Sequence, residues 1–275
     1  MPELPEVEHV VRALRPVVVG RRILAAELRL KRIAPDVTKP AFNRLLKDAL
    51  VTAVGRRGKH ILFELESGKL LTTHLRMTGK FVSLTAEDSL PAYAHVVLYL
   101  DDDRRLVYCD MRQFGRMQII NDRSRLPIGI SSLAPEPLSD DFTEEYFLAT
   151  LAKSRRSLKQ LLLDQTRVLG LGNIYAVEAL FLAGVHPLKP ANRLSKPRAR
   201  KLYQAIRKVL QGAIDSGSTL KIDLNDGESS YIGTSERFWR VYEREGEPCV
   251  NCGAKIKRVA HGGRSTYFCP KCQKT

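Results

Sequence analysis

Apolar residues near the start of the chain recur at intervals of three and four: Val7, Val10, Val11 and Leu14. That spacing predicts an amphipathic helix with one buried face. Pro5, followed by Glu6 and Glu8, marks its beginning, because proline suits the first turn and acids suit the positive end of the helix dipole. Gly20 marks its end. From Ile23 to about Ile120 the pattern shortens to β-rich runs, among them Ile61 to Leu65, Val96 to Leu100, Leu106 to Cys109 and Met117 to Ile120. Ser67-Gly68 and Asp101-Asp102-Asp103 separate such runs as hairpin turns do. An antiparallel sandwich or flattened barrel is expected, with the first helix packed beside it.

Pro127, Pro135 and Pro137 make Asn121 to Asp141 an interdomain connector. Helical patterns resume at Glu144 to Ala152, Ser157 to Leu163, Ile174 to Leu182 and Pro197 to Ile214. Gly227 to Ser230 reads as a mobile loop tip, and a short strand from Phe238 leads into the cysteine-rich tail. The expected divisions are 1–130, a β-sandwich domain; 131–235, a helical domain; and 236–275, a finger. The fold class is thus α+β and multidomain.

Charge narrows the partner. The 275 residues carry a formal net charge of +15 and a pI near 9.8, which favours a polyanion, either nucleic acid or an acidic membrane surface, over a merely basic exterior. No apolar run reaches the ~20 residues needed to cross a bilayer, and Met1 to Glu6 lacks the features of a secretory signal. A cytoplasmic location is expected.

Four of the five cysteines form two CxxC pairs, Cys249/Cys252 and Cys269/Cys272, separated by sixteen residues. Four thiolates complete a closed tetrahedral site without room for water, so one structural zinc is expected, with iron–sulfur ligation as the lesser alternative. Cys109, in a β run, reads as a small buried hydrophobe. Between the pairs, Lys255, Lys257, Arg258, His261, Gly262, Gly263 and Arg264 form a basic, glycine-containing hairpin tip suited to phosphates, although such ribbons also dock proteins. Gly170-Leu171-Gly172-Asn173 opens a helix whose N–H groups attract an anion, with Asn173 as its N-cap. Basic residues from Lys189 to Lys208, with no acid among them, add to that attraction. Pro2 behind the initiator Met1 would, once exposed, offer a secondary amine, and Glu3 beside it a proton carrier. A helix start with acids on its dipole accounts for the same residues.

Pro2-Glu3-Leu4-Pro5-Glu6-Val7-Glu8, Gly58-Lys59, Gly170 to Ala176 and Gly246 to Gln273 together resemble bacterial formamidopyrimidine-DNA glycosylases. The likeness runs from the first residues to the last. It implies an N-terminal β-sandwich with flanking helices, a helix–two-turn–helix motif and a zinc finger, with duplex DNA between the domains and a monomeric, nucleoid-associated enzyme. It also implies roles. Pro2 would be the nucleophile and Schiff-base former, Glu3 the general acid, Lys59 an aid to β-elimination, and Arg264 a phosphate grip aiding δ-elimination. Asn173, His95, Arg112 and Arg155 would contact DNA. Met77, Arg112 and Phe114 would fill the space left by a flipped nucleotide. Oxidised purines would be excised. A pyrimidine specialist resembling endonuclease VIII and a non-catalytic zinc-dependent DNA binder are the competing readings. Glu243 departs from the glycine usual in this family, and Ser218 to Tyr231 departs from its lesion-capping segment.

Overall fold

A computed structural model of the protein describes residues 1–122, 128–216, 224 and 239–274. Helix α1, Leu4–Val18, begins at Glu3 and carries Pro5 in its first turn. Val7, Val10, Val11 and Leu14 are buried, as the periodicity predicts. Each such side chain contributes ~1.5–3 kcal/mol when fully removed from water. The backbone turns away at Gly20, where φ is +78°.

Eight strands follow: β1 (Arg22–Leu28), β2 (Ala49–Arg57), β3 (His60–Leu65), β4 (Leu70–His74), β5 (Gly79–Leu84), β6 (Ala94–Leu100), β7 (Arg105–Asp110) and β8 (Arg116–Ile120). Their order is β5-β7-β6-β1-β2-β3-β4-β8, and every pairing is antiparallel. Only two residue pairs, Arg22↔Leu50 and Ile23↔Ala49, join β1 to β2, so the sheet divides there into two four-stranded halves. Ile61, Phe63 and Leu65 on β3 share a core with Val96, Leu98 and Leu100 on β6 and with the apolar face of α1. The sandwich expected from the β-rich runs is present. Cys109 is buried in a second cluster with Val82, Val97 and Val107, and burial pushes its thiol up to about 11.

One helix in this region departs from the expected run of strands. Helix α2, Lys39–Leu46, is capped by Thr38, whose hydroxyl accepts the Ala41 N–H, and it buries only Phe42 and Leu46. Further on, α3 (Ile128–Ser131) lies in the proline-rich connector.

Two compact units emerge: 1–131 with 217–235, and 132–216 with 236–275. In the first, Leu224 packs in the sandwich core, and its carbonyl accepts the N–H of Ser83 on β5 at 2.6 Å. The loop tip at Gly227 to Ser230, and the departing segment Ser218 to Tyr231 apart from Leu224, lie outside the described residues.

The second unit contains α4 (Glu144–Ala152), α5 (Leu158–Leu163), α6 (Asn173–Leu182), α7 (Lys196–Asp215) and a hairpin of β9 (Lys257–His261) and β10 (Arg264–Phe268). Phe142 stacks on Tyr203 at 5.4 Å, while Leu202, Ile206 and Leu210 of α7 face inward. Among the described residues, no helix is long and apolar enough to cross a membrane.

The strand expected from Phe238 into the cysteines is not formed over 239–248; Phe238 itself lies outside the described residues. Instead Glu178 of α6 accepts the backbone N–H groups of Arg240, Val241 and Tyr242 at 2.9–3.1 Å, which holds the segment as turns. The Arg244 N–H then closes onto the Val241 carbonyl, with Glu243 at φ +57°. A left-handed third position in such a turn is glycine's natural place, which explains why glutamate is a departure there. Glu243→Gly is therefore expected to stabilise the protein by up to about 1 kcal/mol. Gly246→Ala, at φ +80°, is expected to cost about 1 kcal/mol. Denaturant unfolding of the two variants checks the order; a less stable Glu243→Gly would contradict it.

Candidate nucleic-acid interface and metal centre

In the first unit, Pro2 is buried immediately ahead of α1, and Glu3 is 2% exposed. The Glu6 carboxylate accepts the Glu3 N–H at 2.8 Å, the arm of a capping box that reaches back across the first turn. The result is a fixed N-terminal segment with a buried carboxyl one residue from Pro2.

Lys59 occupies the two-residue turn between β2 and β3, where Arg57 pairs with His60. Gly58 supplies φ +56° at the first turn position, as a tight hairpin demands. Lys59 is only 7% exposed. Next to it His60 pairs across strands with His74, their rings edge to face at 4.7 Å. Burial, then the Arg76 charge, pushes the His60 imidazole down to about 4. Burial lowers His74 to about 2, reinforced by His60, Arg76 and Lys59. Both rings are thus neutral at pH 7 in a setting that disfavours further positive charge and favours an anion.

Met77 and Phe114 are among the exposed large apolar side chains. Phe114 carries the Arg112 guanidinium over its ring at 4.9 Å. His95, nearly buried, points Nε2 at the Asp110 carbonyl at 2.9 Å. Since a carbonyl only accepts, Nε2 carries the proton.

In the second unit Asn173 is not the N-cap of its helix. Gly172 occupies that position, and Asn173 is the first helical residue. Its side-chain Nδ2 instead donates to the Ser265 carbonyl at 3.1 Å. The capping preference of asparagine lost to a contact 92 residues away. Lys159 of α5, which the sequence pattern does not single out, donates to the same carbonyl at 2.8 Å and to the Thr266 hydroxyl at 2.7 Å. Burial, then the Arg264 charge, lowers Lys159 to about 8. Ser157 meets His261 at 2.7 Å. These contacts seat the β9–β10 hairpin on α5 and α6, with Gly262 and Gly263 at positive φ forming its tip and Arg264 exposed beside them. Arg155 is exposed on the loop before α5, whereas its neighbour Arg156 pairs with Asp164 at 2.8 Å.

The four sulfur atoms of Cys249, Cys252, Cys269 and Cys272 lie within 4.8 Å of one another. Cys249 and Cys272 are separated by 3.8 Å, Cys252 and Cys269 by 3.5 Å. A tetrahedral zinc with bonds of about 2.3 Å separates its sulfurs by about 3.8 Å, so the quartet fits the ion. Cys249 and Cys269 also pack with Val177 and Phe181 of α6, joining the metal centre to the helical core.

A β-sandwich unit, a helical unit and a four-thiolate finger with a basic tip define a two-unit protein with a metal-organised, basic surface. Residues 1–117 match the formamidopyrimidine-DNA glycosylase N-terminal domain, 133–223 the H2TH domain of the same enzymes, and 246–275 the zinc finger found in FPG and IleRS. The chain is 44% identical to the formamidopyrimidine-DNA glycosylase of Heliobacterium modesticaldum, with 100% of each covered. It is 43% identical to that of Bacillus subtilis, with 99% of each covered. Among solved structures, Lactococcus lactis Fpg bound to abasic-site DNA superposes with a TM-score of 0.89 at 35% identity, covering 99% of this chain and 100% of that one. The MutM (Fpg) protein of Thermus thermophilus superposes at 0.85 with 38% identity, covering 99% and 98%. The chain belongs to the formamidopyrimidine-DNA glycosylase family. It is a DNA-repair glycosylase, and its cysteine quartet is arranged to hold one structural zinc.

Two measurements test this geometry. Trp239, the protein's one tryptophan, packs on Tyr175 at 5.6 Å and Tyr242 at 6.3 Å beside the finger. Removing zinc with a chelator is expected to alter its fluorescence while the sheet unit keeps its circular dichroism; unchanged emission after complete removal counts against metal-organised packing. The histidine pair sets a pH dependence. Below pH 6.5 the unfolded chain takes up protons that the folded imidazoles refuse, so their contribution, present above 6.5, declines as pH falls towards 4. A His60→Gln/His74→Gln protein is expected to lose less stability than wild type between about pH 7.5 and 5 in denaturant titrations. An equal loss would remove the pair from the explanation.

Proposed function

We propose that the protein excises oxidised purines, 8-oxoguanine and formamidopyrimidines, from duplex DNA and then cleaves the abasic strand by β,δ-elimination. The observation that carries this reading is the N-terminal segment itself: Pro2 followed by a buried Glu3 carboxyl on a capped helix, in a chain whose relatives match it end to end. The solved relatives lend the substrate class support, since Lactococcus lactis Fpg has been captured with DNA containing Fapy-dG, at a TM-score of 0.90.

Removal of Met1 exposes the Pro2 secondary amine, and an α-amino group with a pKa near ~8 is partly neutral at physiological pH. Its lone pair attacks the sugar C1′. The glycosidic bond breaks and its electron pair departs with the damaged base, which takes up a proton. Glu3, as general acid, protonates the sugar ring oxygen as the ring opens, leaving an iminium between Pro2 and C1′. The iminium acidifies the C2′ hydrogens; loss of one expels the 3′ phosphate, and a second elimination expels the 5′ phosphate. Lys59 aids the first elimination, and Arg264 grips phosphate and aids the second. His95, Arg112, Arg155 and Asn173 contact DNA, while Met77, Arg112 and Phe114 fill the space of the extruded nucleotide, the arginine satisfying the orphaned base. The protein acts as a monomer in the cytoplasm, on nucleoid DNA.

Borohydride reduction is expected to trap a covalent adduct at Pro2 on duplexes containing 8-oxoguanine or formamidopyrimidine, and not preferentially on thymine glycol. Acetylating the terminus or retaining Met1 is expected to abolish trapping. Glu3→Gln should suppress base excision by about a hundredfold while largely sparing strand cleavage at preformed abasic sites. Peptide mapping that places the adduct on Lys59, with an acetylated terminus still active, would overturn the mechanism. Preference for thymine glycol would assign the chain to the pyrimidine specialists.

A further inference from the structure

Beneath the exposed void-filling side chains lies a carboxylate that neither the sequence motifs nor the catalytic scheme uses. Asp110 ends β7 and is 0% exposed. One of its oxygens accepts the Thr78 hydroxyl, a very short contact, and the Arg112 N–H at 3.3 Å. Its other oxygen accepts the Gly115 N–H at 2.7 Å. The Thr78 hydroxyl oxygen in turn accepts the Arg112 N–H at 3.0 Å. Thr78 follows Met77, whereas Arg112 and Gly115 bracket Phe114. A single buried charge therefore ties together two loops, 75–79 and 110–115, that carry the three residues.

The backbone of Asp110 extends the same junction. Its carbonyl accepts the Gln113 N–H at 3.2 Å and His95 Nε2 at 2.9 Å, and its N–H donates to the Tyr93 carbonyl at 3.1 Å. Both loops pass through left-handed conformations, Arg76 at φ +56° and Gln113 at φ +55°, which only a well-braced turn retains. Tyr108 closes the junction from below. A Cβ on Gly79 would come within 2.3 Å of the Tyr108 hydroxyl, and one on Gly115 within 1.7 Å, so both positions require glycine.

We infer that Asp110, acting with the Thr78 hydroxyl, is a positioning residue that sets Met77, Arg112 and Phe114 as one rigid void-filling unit. The inference rests on the reading that these three residues replace an extruded nucleotide. Physically, insertion between stacked bases requires a wedge whose parts do not yield. Loops this exposed have little packing of their own to hold them, and charge-assisted hydrogen bonds to a buried carboxylate are the strongest local substitute. No chemistry passes through Asp110, so its loss acts at the extrusion step, and a duplex with no base to extrude bypasses it.

The experiment uses the full-length zinc-loaded protein and four variants, Asp110→Asn, Thr78→Val, Thr78→Ser and Phe114→Ala. Single-turnover rates are measured on the damaged-base duplex that wild type processes fastest, and on the same duplex with a preformed abasic site. Asp110→Asn is expected to slow base excision about tenfold or more, and abasic-site cleavage by less than about threefold. Thr78→Val should show the same selectivity with a smaller loss, and Thr78→Ser, which keeps the hydroxyl, should restore wild-type rates. Backbone hydrogen exchange at Arg112 and Gly115 should quicken in Asp110→Asn and not in Phe114→Ala. Equal loss on both duplexes, or wild-type rates in both Asp110→Asn and Thr78→Val beside a selectively impaired Phe114→Ala, would overturn the positioning role while leaving the void-filling reading intact. Should Asp110→Asn fail to fold, the Thr78 pair decides by the same criteria. A Phe114→Ala protein with no selective loss removes the reading and this inference with it.

Discussion

The β9–β10 hairpin is two five-residue strands joined through a Gly-Gly tip, and of its ten strand residues only Thr266, Tyr267 and Phe268 are buried. So little apolar surface cannot offset the ordering of its backbone, at roughly 1–2 kcal/mol per residue. The thiolate quartet closes that gap. Zinc draws Cys249 and Cys252 against Cys269 and Cys272, and the two buried cysteines sit in the same cluster as Val177 and Phe181 of α6. Once the finger is seated, β10 runs past α5 and α6 closely enough for Lys159 and Asn173 to share the Ser265 carbonyl. The exposed direction of Arg264 is then a consequence of metal binding, relayed through one strand.

Buried charges perform comparable work, two of them at the finger and one beside the loops of the sheet unit. Glu178 collects three backbone N–H groups from 240–242 and anchors the approach to the finger. Asp110 collects donors from the two loops that bear Met77, Arg112 and Phe114. Lys159 holds the finger from the helical side. A charge withdrawn from water is tolerated only when its partners are nearly complete, which makes such groups selective for one arrangement. An enzyme that presses into a stacked duplex, as proposed here, would have particular need of that selectivity, because side chains placed to contact DNA remain exposed until it arrives.

The sequence was legible where a physical period or a spacing carried the information. The stripe on α1 identified a buried helical face, and β-rich runs such as Ile61 to Leu65, set off by turn residues, identified a sheet. The CxxC pairs identified a metal centre without any structure. Helix α2 was missed because it buries only Phe42 and Leu46, too few positions to establish a period; Thr38 followed by Pro40 was the signal available. Asn173 was misread as a cap because local preference was the only argument at hand, and Ser265 lies 92 positions away. Asp110 and Lys159 were invisible for the same reason. An aspartate ending a strand and a lysine between a leucine and a glutamine look like solvated charges until the fold surrounds them.

Four of the side chains proposed to meet DNA and the groups that support them divide by exposure in a way that composition does not show. Met77, Arg112, Phe114 and Arg264 face outward, each on a tight turn or hairpin tip. The groups that fix those turns, namely Asp110, Lys159 and the glycines against Tyr108, are buried or admit no larger side chain. Glu3 follows the second pattern, being buried with its backbone N–H held by the Glu6 carboxylate, which suits the general-acid role proposed for it. The net charge of +15 draws DNA to the protein without sequence preference. On the proposed void-filling reading, discrimination arises after that encounter, from whether a rigid wedge can open the stack at low cost, and a damaged or unpaired base lowers that cost most. That reading assigns affinity and selectivity to different residues: the basic surface would bring the enzyme to any duplex, and the braced loops would determine where it stops.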